Sequence, residues 1–214
     1  EFLRLRMREE LKRLQNDLGI TFIHVTHTQP EAIALADMVV VMDTGRIDQA
    51  DTANMIFNRP ETPYVARFMG GQNVLSGKVE SRSGDLVRVK APSGTIYEAR
   101  PRAGTPVPPE GARLSLSIRR DRIALARRLA DAAPPGVNAV AGVVDATEYQ
   151  GTYVKVTIKV TDGSIFVANV SDDAYFANPV DTGDPVVASW STDHVHFLSK
   201  ADTDTVGGPY DEAD

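Results

Sequence analysis

The 214-residue chain contains no cysteine and a single tryptophan. Without thiols there are no disulfides and no thiolate metal sites, which agrees with a reducing compartment. Long apolar runs are missing too. None approaches the ~20 residues of a membrane-spanning helix, so any membrane association must pass through a protein partner. No signal-peptide pattern opens the chain. Basic charge is in short supply: 23 Lys and Arg stand against 29 Asp and Glu, a net charge of −6. That balance offers no basic stripe to a phosphate backbone and argues against nucleic acid. Also absent is any Gly-x-x-x-x-Gly-Lys-Ser/Thr, the loop whose amides and lysine cradle phosphates.

What is present is an ordinary globular composition, 42 % hydrophobic and 24 % charged, on a length suited to one or two domains. Leu11, Leu14 and Leu18, with Met7 a turn earlier, mark one helical face, and Gly19 ends that helix. Residues 20–26 are apolar on both parities, the pattern of a strand buried on both faces. Pro30 fits the first turn of a following helix. Residues 38–42 form the next strand, and Asp43-Thr44-Gly45-Arg46 a turn. Asp51 or Thr52 caps a short helix that Asn58-Arg59-Pro60 stops, and Thr62-Pro63 opens another, closed by Gly70-Gly71.

After Gly71 the helical period gives way to short strands rich in glycine and proline. This stretch repeats itself. Asn73-x-x-x-Gly77-x-Val79 recurs as Asn138-x-x-x-Gly142-x-Val144, and Val87-x-Val89 as Val154-x-Val156. Gly94-x-Ile96-Tyr97 recurs as Gly163-x-Ile165-Phe166. Ser117-Ile118-x-x-Asp121-x-Ile123-x-Leu125 recurs as Ser189-Trp190-x-x-Asp193-x-Val195-x-Phe197. The preserved order points to two copies of a five-strand unit, paired small barrels of the OB type, joined by Ala126–Asn138. Each copy alone is small enough to be marginal, so the copies are expected to share a core or to bury a mutual interface. Val87, Val89, Ile118, Val154, Val156 and Trp190 are expected inside it.

The passage Thr26-His27-Thr28-Gln29-Pro30-Glu31-Ala32, followed by Ala36-Asp37, Met42, Gly45-Arg46-Ile47 and Pro63-Tyr64-Val65-Ala66-Arg67-Phe68, resembles the C-terminal part of an ABC-transporter ATPase subunit. Within that family, Phe68-Met69-Gly70-Gly71-Gln72-Asn73-Val74 and the β region most resemble the spermidine/putrescine type. Sugar and ferric-iron importers share much of the pattern. The β region resembles a TOBE domain. The resemblance implies an α/β end of a nucleotide-binding domain followed by an all-β, OB-like (TOBE) domain. Its boundaries are 1–71 for the truncated ATPase part, 72–200 for the TOBE part and 201–214 for an acidic flexible tail.

Several consequences of the resemblance are expectations. His27 falls on the switch histidine, which contacts the γ-phosphate and helps hold the attacking water. The family's Asp after that histidine is Thr28 here, and the acid before Glu31 is Pro30. The phosphate-binding loop, the Leu-Ser-Gly-Gly-Gln motif and the Walker B acids are absent. Glu1 is therefore expected to lie inside a domain, and the piece alone to be inactive, holding no cofactor and no metal. ATP and Mg belong to the full-length parent. The implied partners are a second copy of the ATPase subunit, transmembrane permease subunits and, indirectly, a periplasmic solute-binding protein, on the cytoplasmic side of the inner membrane. TOBE domains bind oxyanions in some members and act as regulatory or dimer-contact modules in others, and the second role fits better here. The reading of another class is a stand-alone TOBE module for a small molecule or oxyanion.

Other candidates carry less. His24, inside the expected strand, reads as a buried structural histidine. His194 and His196 alternate along an expected strand without a third ligand, Asp193 pointing away, and read as an exposed face. Arg119, Arg120 and Arg122 could hold an anion, but arginines beside Asp121 and Glu110 more often form surface pairs.

Overall fold

The computed structural model describes residues 2–127 and 136–200. The chain divides into two compact units, Glu1–Glu61 and Thr62–Asp214.

The first unit opens with helix α1, Phe2–Leu18, ended by Gly19 at φ +61°. Helix α2 covers Gln29–Leu35, with Pro30 in its first turn. Strands β1, Val39–Asp43, and β2, Arg46–Asp51, form an antiparallel hairpin closed by Thr44 and Gly45. Both turn residues have positive φ, 44° and 80°, the geometry that matches strand twist. Helix α3, Ala53–Asn58, is capped by the Thr52 hydroxyl, which accepts from the Met55 amide. Gln49 ties the chain back on itself. Its amide donates to the Arg59 carbonyl at 3.0 Å and its carbonyl accepts from the Glu61 amide at 2.9 Å.

One expectation fails here. Residues 20–26 form no strand and pair with none among the described residues. Ile23 and Val25 are each 91 % exposed. A doubly buried strand exists only with ladder partners and covering layers, and the described residues supply neither. The Met7, Leu11, Leu14 and Leu18 face of α1 is likewise exposed.

The second unit begins with helix α4, Pro63–Phe68, capped by Thr62 and packed on β3 and β6. Two five-stranded antiparallel sheets follow. The first copy of the repeat supplies β3, Asn73–Ser83; β4, Leu86–Lys90; β5, Ile96–Ala99; β6, Arg113–Ile118; and β7, Ala124–Arg127. The second supplies β8, Val137–Tyr149; β9, Tyr153–Val160; β10, Ile165–Ser171; β11, Pro185–Ser191; and β12, Val195–Phe197. One short helix, α5, Asp172–Ala177, intervenes before β11. Ala126, Arg127, Val137 and Asn138 thus belong to strands, not to the connection. Residues 128–135 and the expected acidic tail 201–214 lie outside the described residues.

The sheets are not simply the two copies. Their orders are β12-β6-β3-β4-β5 and β10-β9-β8-β11-β7. The copies have exchanged their last strands: β12 pairs with β6 of the first, and β7 with β11 of the second. Each copy is completed by the other, as a unit too small for its own core requires.

The repeated residues explain themselves in this frame. Asn73 donates to the Val167 carbonyl and accepts from the Val167 amide, both at 2.8 Å. Asn138 does the same to Glu98, at 2.8 and 2.7 Å. Each asparagine thus grips the third strand of the opposite copy, standing in for the backbone partner an edge residue lacks. Gly77 and Gly142 pass so close to the neighbouring strand that a Cβ would lie 2.5 Å from the carbonyl oxygens of Lys90 and Lys159. One apolar core runs through both sheets. It includes Val87, Val89, Ile118, Val154, Val156 and Trp190, all as expected. Trp190 stacks on Phe166 at 5.0 Å between ring centres and lies 6.1 Å from Tyr97, joining the copies.

Candidate functional site

Residues 24–37 form the polar heart of the first unit. The Thr26 hydroxyl donates to Glu31 Oε2 at 2.7 Å. Having given its one hydrogen, it receives the Thr28 amide at 3.0 Å and lies 3.0 Å from the Thr28 hydroxyl. Thr28 sits at the N-cap of α2 and its carbonyl accepts from the Ala32 amide at 3.3 Å, but its hydroxyl caps nothing. That hydroxyl turns toward Thr26 instead.

Helix α1 closes on this segment with its polar stripe. Arg8 reaches Glu31 Oε1 at 3.6 Å. Lys12 bonds Asp37 at 2.7 Å and the Leu35 carbonyl at 3.2 Å, and Gln15 bonds Asp37 at 3.1 Å. The spacing of 8, 12 and 15 places all three on one face. The hydroxyls of Thr26 and Thr28, then the Arg8 charge, hold the Glu31 carboxyl down to about 2. The Lys12 and Gln15 bonds lower Asp37 in the same way. Both acids are therefore ionised at neutral pH.

His27 itself is exposed, and no described side chain bonds its ring. It stands out from the loop, free to meet something else. His24 is not buried: its side chain is half exposed and Nε2 lies 3.8 Å from Glu31 Oε2, an ion pair whenever the ring is protonated. The failed strand explains the difference, since its residues never enter a sheet. Arg8, His24 and Glu31 come together only in three dimensions. Their spacing of 16 and 7 residues gave no local sign of it.

In the β unit, Arg119 pairs with Asp121 through two bonds of 2.9 and 2.7 Å, and Arg122 approaches the same carboxylate at 3.8 Å. Burial opposes ionisation of Asp121, yet the Arg119 bonds and charge outweigh it and keep the acid below its usual range. Arg120 turns inward instead. Its guanidinium packs on Gly71, where a Cβ would meet it at 2.7 Å, and burial lowers its pKa. His194 lies in a one-turn 3-10 segment, Thr192–His194, and only His196 lies in β12, so the two do not share a strand face. Asp193 is bound to Arg100 at 2.7 Å. Among the described residues, no three His, Asp or Glu side chains are grouped to hold a metal.

The β unit is thus two five-stranded antiparallel sheets around one common core. Residues 116–198 match the family model of the TOBE domain. In fold, the chain is similar to the cytoplasmic molybdate-binding protein ModG in a molybdate-bound form. The TM-score is 0.52 at 16 % identity, over 60 % of this chain and 96 % of that one. Likeness at that identity concerns architecture alone.

The particular relatives are import proteins. The chain is 34 % identical over 92 % of its length to the spermidine/putrescine import ATP-binding protein PotA of Thermobifida fusca, covering 49 % of that protein. It is 37 % identical over 76 % of its length to PotA 1 of Pseudomonas aeruginosa, covering 42 %, and 33 % identical over 95 % to PotA of Acidothermus cellulolyticus, covering 52 %. The resemblance read in the sequence is thus found again, and the chain spans about half the length of the curated relatives it matches.

Proposed function

We propose that this chain is the downstream part of the ATP-hydrolysing subunit of an ABC importer for polyamines such as spermidine and putrescine. In this reading residues 1–71 end its nucleotide-binding α/β domain and residues 72–200 form a regulatory, subunit-contacting TOBE domain. The observation that carries it is the mismatch in the first unit. Ile20, Phe22, Ile23 and Val25 lie open, and so does the leucine face of α1. Such a sequence is written for a sheet and a core that the described residues do not contain. Similarity to the import proteins extends through this segment as well as through the β unit, across 92 % of the chain in one case.

His27 then acts as the switch histidine. A neutral imidazole donates one hydrogen bond, and a protonated one two, so the ring can meet a phosphate oxygen near neutral pH. ATP is the substrate, and with Mg it is cradled by the part of the subunit that carries the phosphate-binding loop. Phosphoryl transfer needs positioning and charge stabilisation more than covalent help, which suits a single exposed ring on an ordered loop. The proposed partners are a second copy of the subunit, membrane permease subunits that hold it at the cytoplasmic face of the plasma membrane, and, through them, a periplasmic solute-binding protein.

The test is His27→Ala in the full-length protein. Turnover of ATP is expected to fall on the order of a hundredfold while nucleotide binding stays within a few-fold. Turnover within about threefold of the wild type would exclude the role, since one such contact normally counts for far more. Uptake of labelled spermidine by the assembled importer tests the solute. Uptake of a sugar or ferric iron in its place would correct that part alone.

A further inference from the structure

We infer that Glu31 is a positioning residue for His27, and that it works by locking the backbone on either side of that histidine. The inference rests on the proposed role of His27 and deepens it.

The Thr26 hydroxyl accepts the Thr28 amide, so the two neighbours of His27 are bonded to each other across it. This is a Ser/Thr turn with the histidine at its centre. Such turns are weak when the hydroxyl is loose. Here it is not loose, because its hydrogen is committed to Glu31 Oε2 at 2.7 Å, a charge-assisted bond. The hydroxyl is left with only lone pairs for Thr28, and the Thr28 amide and hydroxyl lie within bonding distance of it. Glu31 is in turn held from outside by Arg8 on α1. Carboxylate, hydroxyl, amide and guanidinium form one chain of contacts, with residue 27 at the end that faces solvent. Lys12, one turn further along α1, bonds Asp37 just beyond the end of α2 and keeps α1 in place to present Arg8.

Two measurements separate this inference from the reading it rests on. The first needs no catalysis. In the 214-residue chain, Glu31→Ala and Thr26→Val are each expected to speed hydrogen exchange of the Thr28 amide about tenfold, the loss of one modest hydrogen bond. Glu31→Gln keeps an acceptor for Thr26 and should recover most of the protection. Unchanged exchange in Glu31→Ala would overturn the lock. The second uses the full-length protein. Glu31→Ala should lower kcat for ATP hydrolysis by about tenfold or more while nucleotide binding stays within about twofold, as a misplaced catalytic group does. Glu31→Gln should regain most of that loss. Combined with His27→Ala, Glu31→Ala should cost nothing further. A further drop in the double variant would mean that Glu31 acts elsewhere and would overturn the inference. Should His27→Ala alone leave turnover intact, the switch role fails, while Thr28 exchange still decides whether Glu31 holds the loop.

Discussion

The two units of this chain treat their apolar residues in opposite ways. In the β unit, valines and isoleucines at alternate strand positions disappear into one core, and Val87, Leu116, Ile118, Val156, Ile158 and Val186 are fully buried. In the first unit only Val39, Val41 and Ile56 are buried hydrophobics among the described residues, while thirteen large apolar side chains from Met7 to Ile47 lie open. Both sequences are patterned. One pattern is satisfied within the chain and the other is not. Burial is the dominant favourable term in folding, so the first region, with its apolar side open, holds its shape on polar clasps and a hairpin.

The sharpest way to break this contrast is to separate the units. Residues 62–200 are expected to unfold cooperatively with a stability of about 5–15 kcal/mol, as a domain with its own core does. Residues 1–61 are expected to show no cooperative transition and to bind a hydrophobic dye. A sharp calorimetric transition in 1–61 would refute the comparison. Within the β unit, Asn73→Ala leaves the Val167 amide and carbonyl without partners in a buried place and is expected to cost about 2–4 kcal/mol in denaturant titrations. Asn138→Ala strips Glu98 of the same bonds in a more open place and should cost about 1–2 kcal/mol. Equal losses would mean that burial does not set the difference.

Acid sharpens the first unit. Glu31 drops from an ordinary 4.5 to about 2 in the fold, and Asp37 is lowered as well. Groups depressed in this way stabilise the folded state fully above their unfolded values, and the benefit disappears as pH falls toward the folded ones. Protection factors of α1 amides, which remove the intrinsic pH dependence of exchange, should therefore fall between pH about 4.5 and 2, while the β unit, followed by Trp190 fluorescence, changes less. The smallest effect is expected at Thr44, a β-branched residue at φ 44°. Thr44→Asn should relieve about 1 kcal/mol of strain and slow exchange across the hairpin about fivefold.

Local chemistry was the most legible part of the sequence. Gly19, Thr52, Thr62 and Thr44-Gly45 end, cap or turn the chain where propensity says they should, because those choices depend on neighbours within four residues. The repeat was legible and so was its core. The strand exchange was not, since a repeat tells which strands are alike and not which sheet each one joins. The reading of residues 20–26 as a strand failed for a related reason: period and composition report what a segment is suited to, and a ladder needs partners. Around His27 the histidine could be singled out through the resemblance that its flanking residues carry. Glu31, Arg8 and His24 could not be tied to it, because their meeting depends on how α1 lies across α2.

The exchange of β7 and β12 also has a consequence for synthesis. When β6 leaves the ribosome its edge neighbour has not been made, and about eighty residues must follow before Phe197 can pair with Leu116. At roughly 5–20 residues per second that is a wait on the order of 4–16 seconds. Throughout it, the first copy displays an open strand edge, the kind of template on which chains pair wrongly. The interval ends only when the last strand arrives, so a nascent chain stalled anywhere between Ile118 and Val195 is left with the first of its two sheets unfinished.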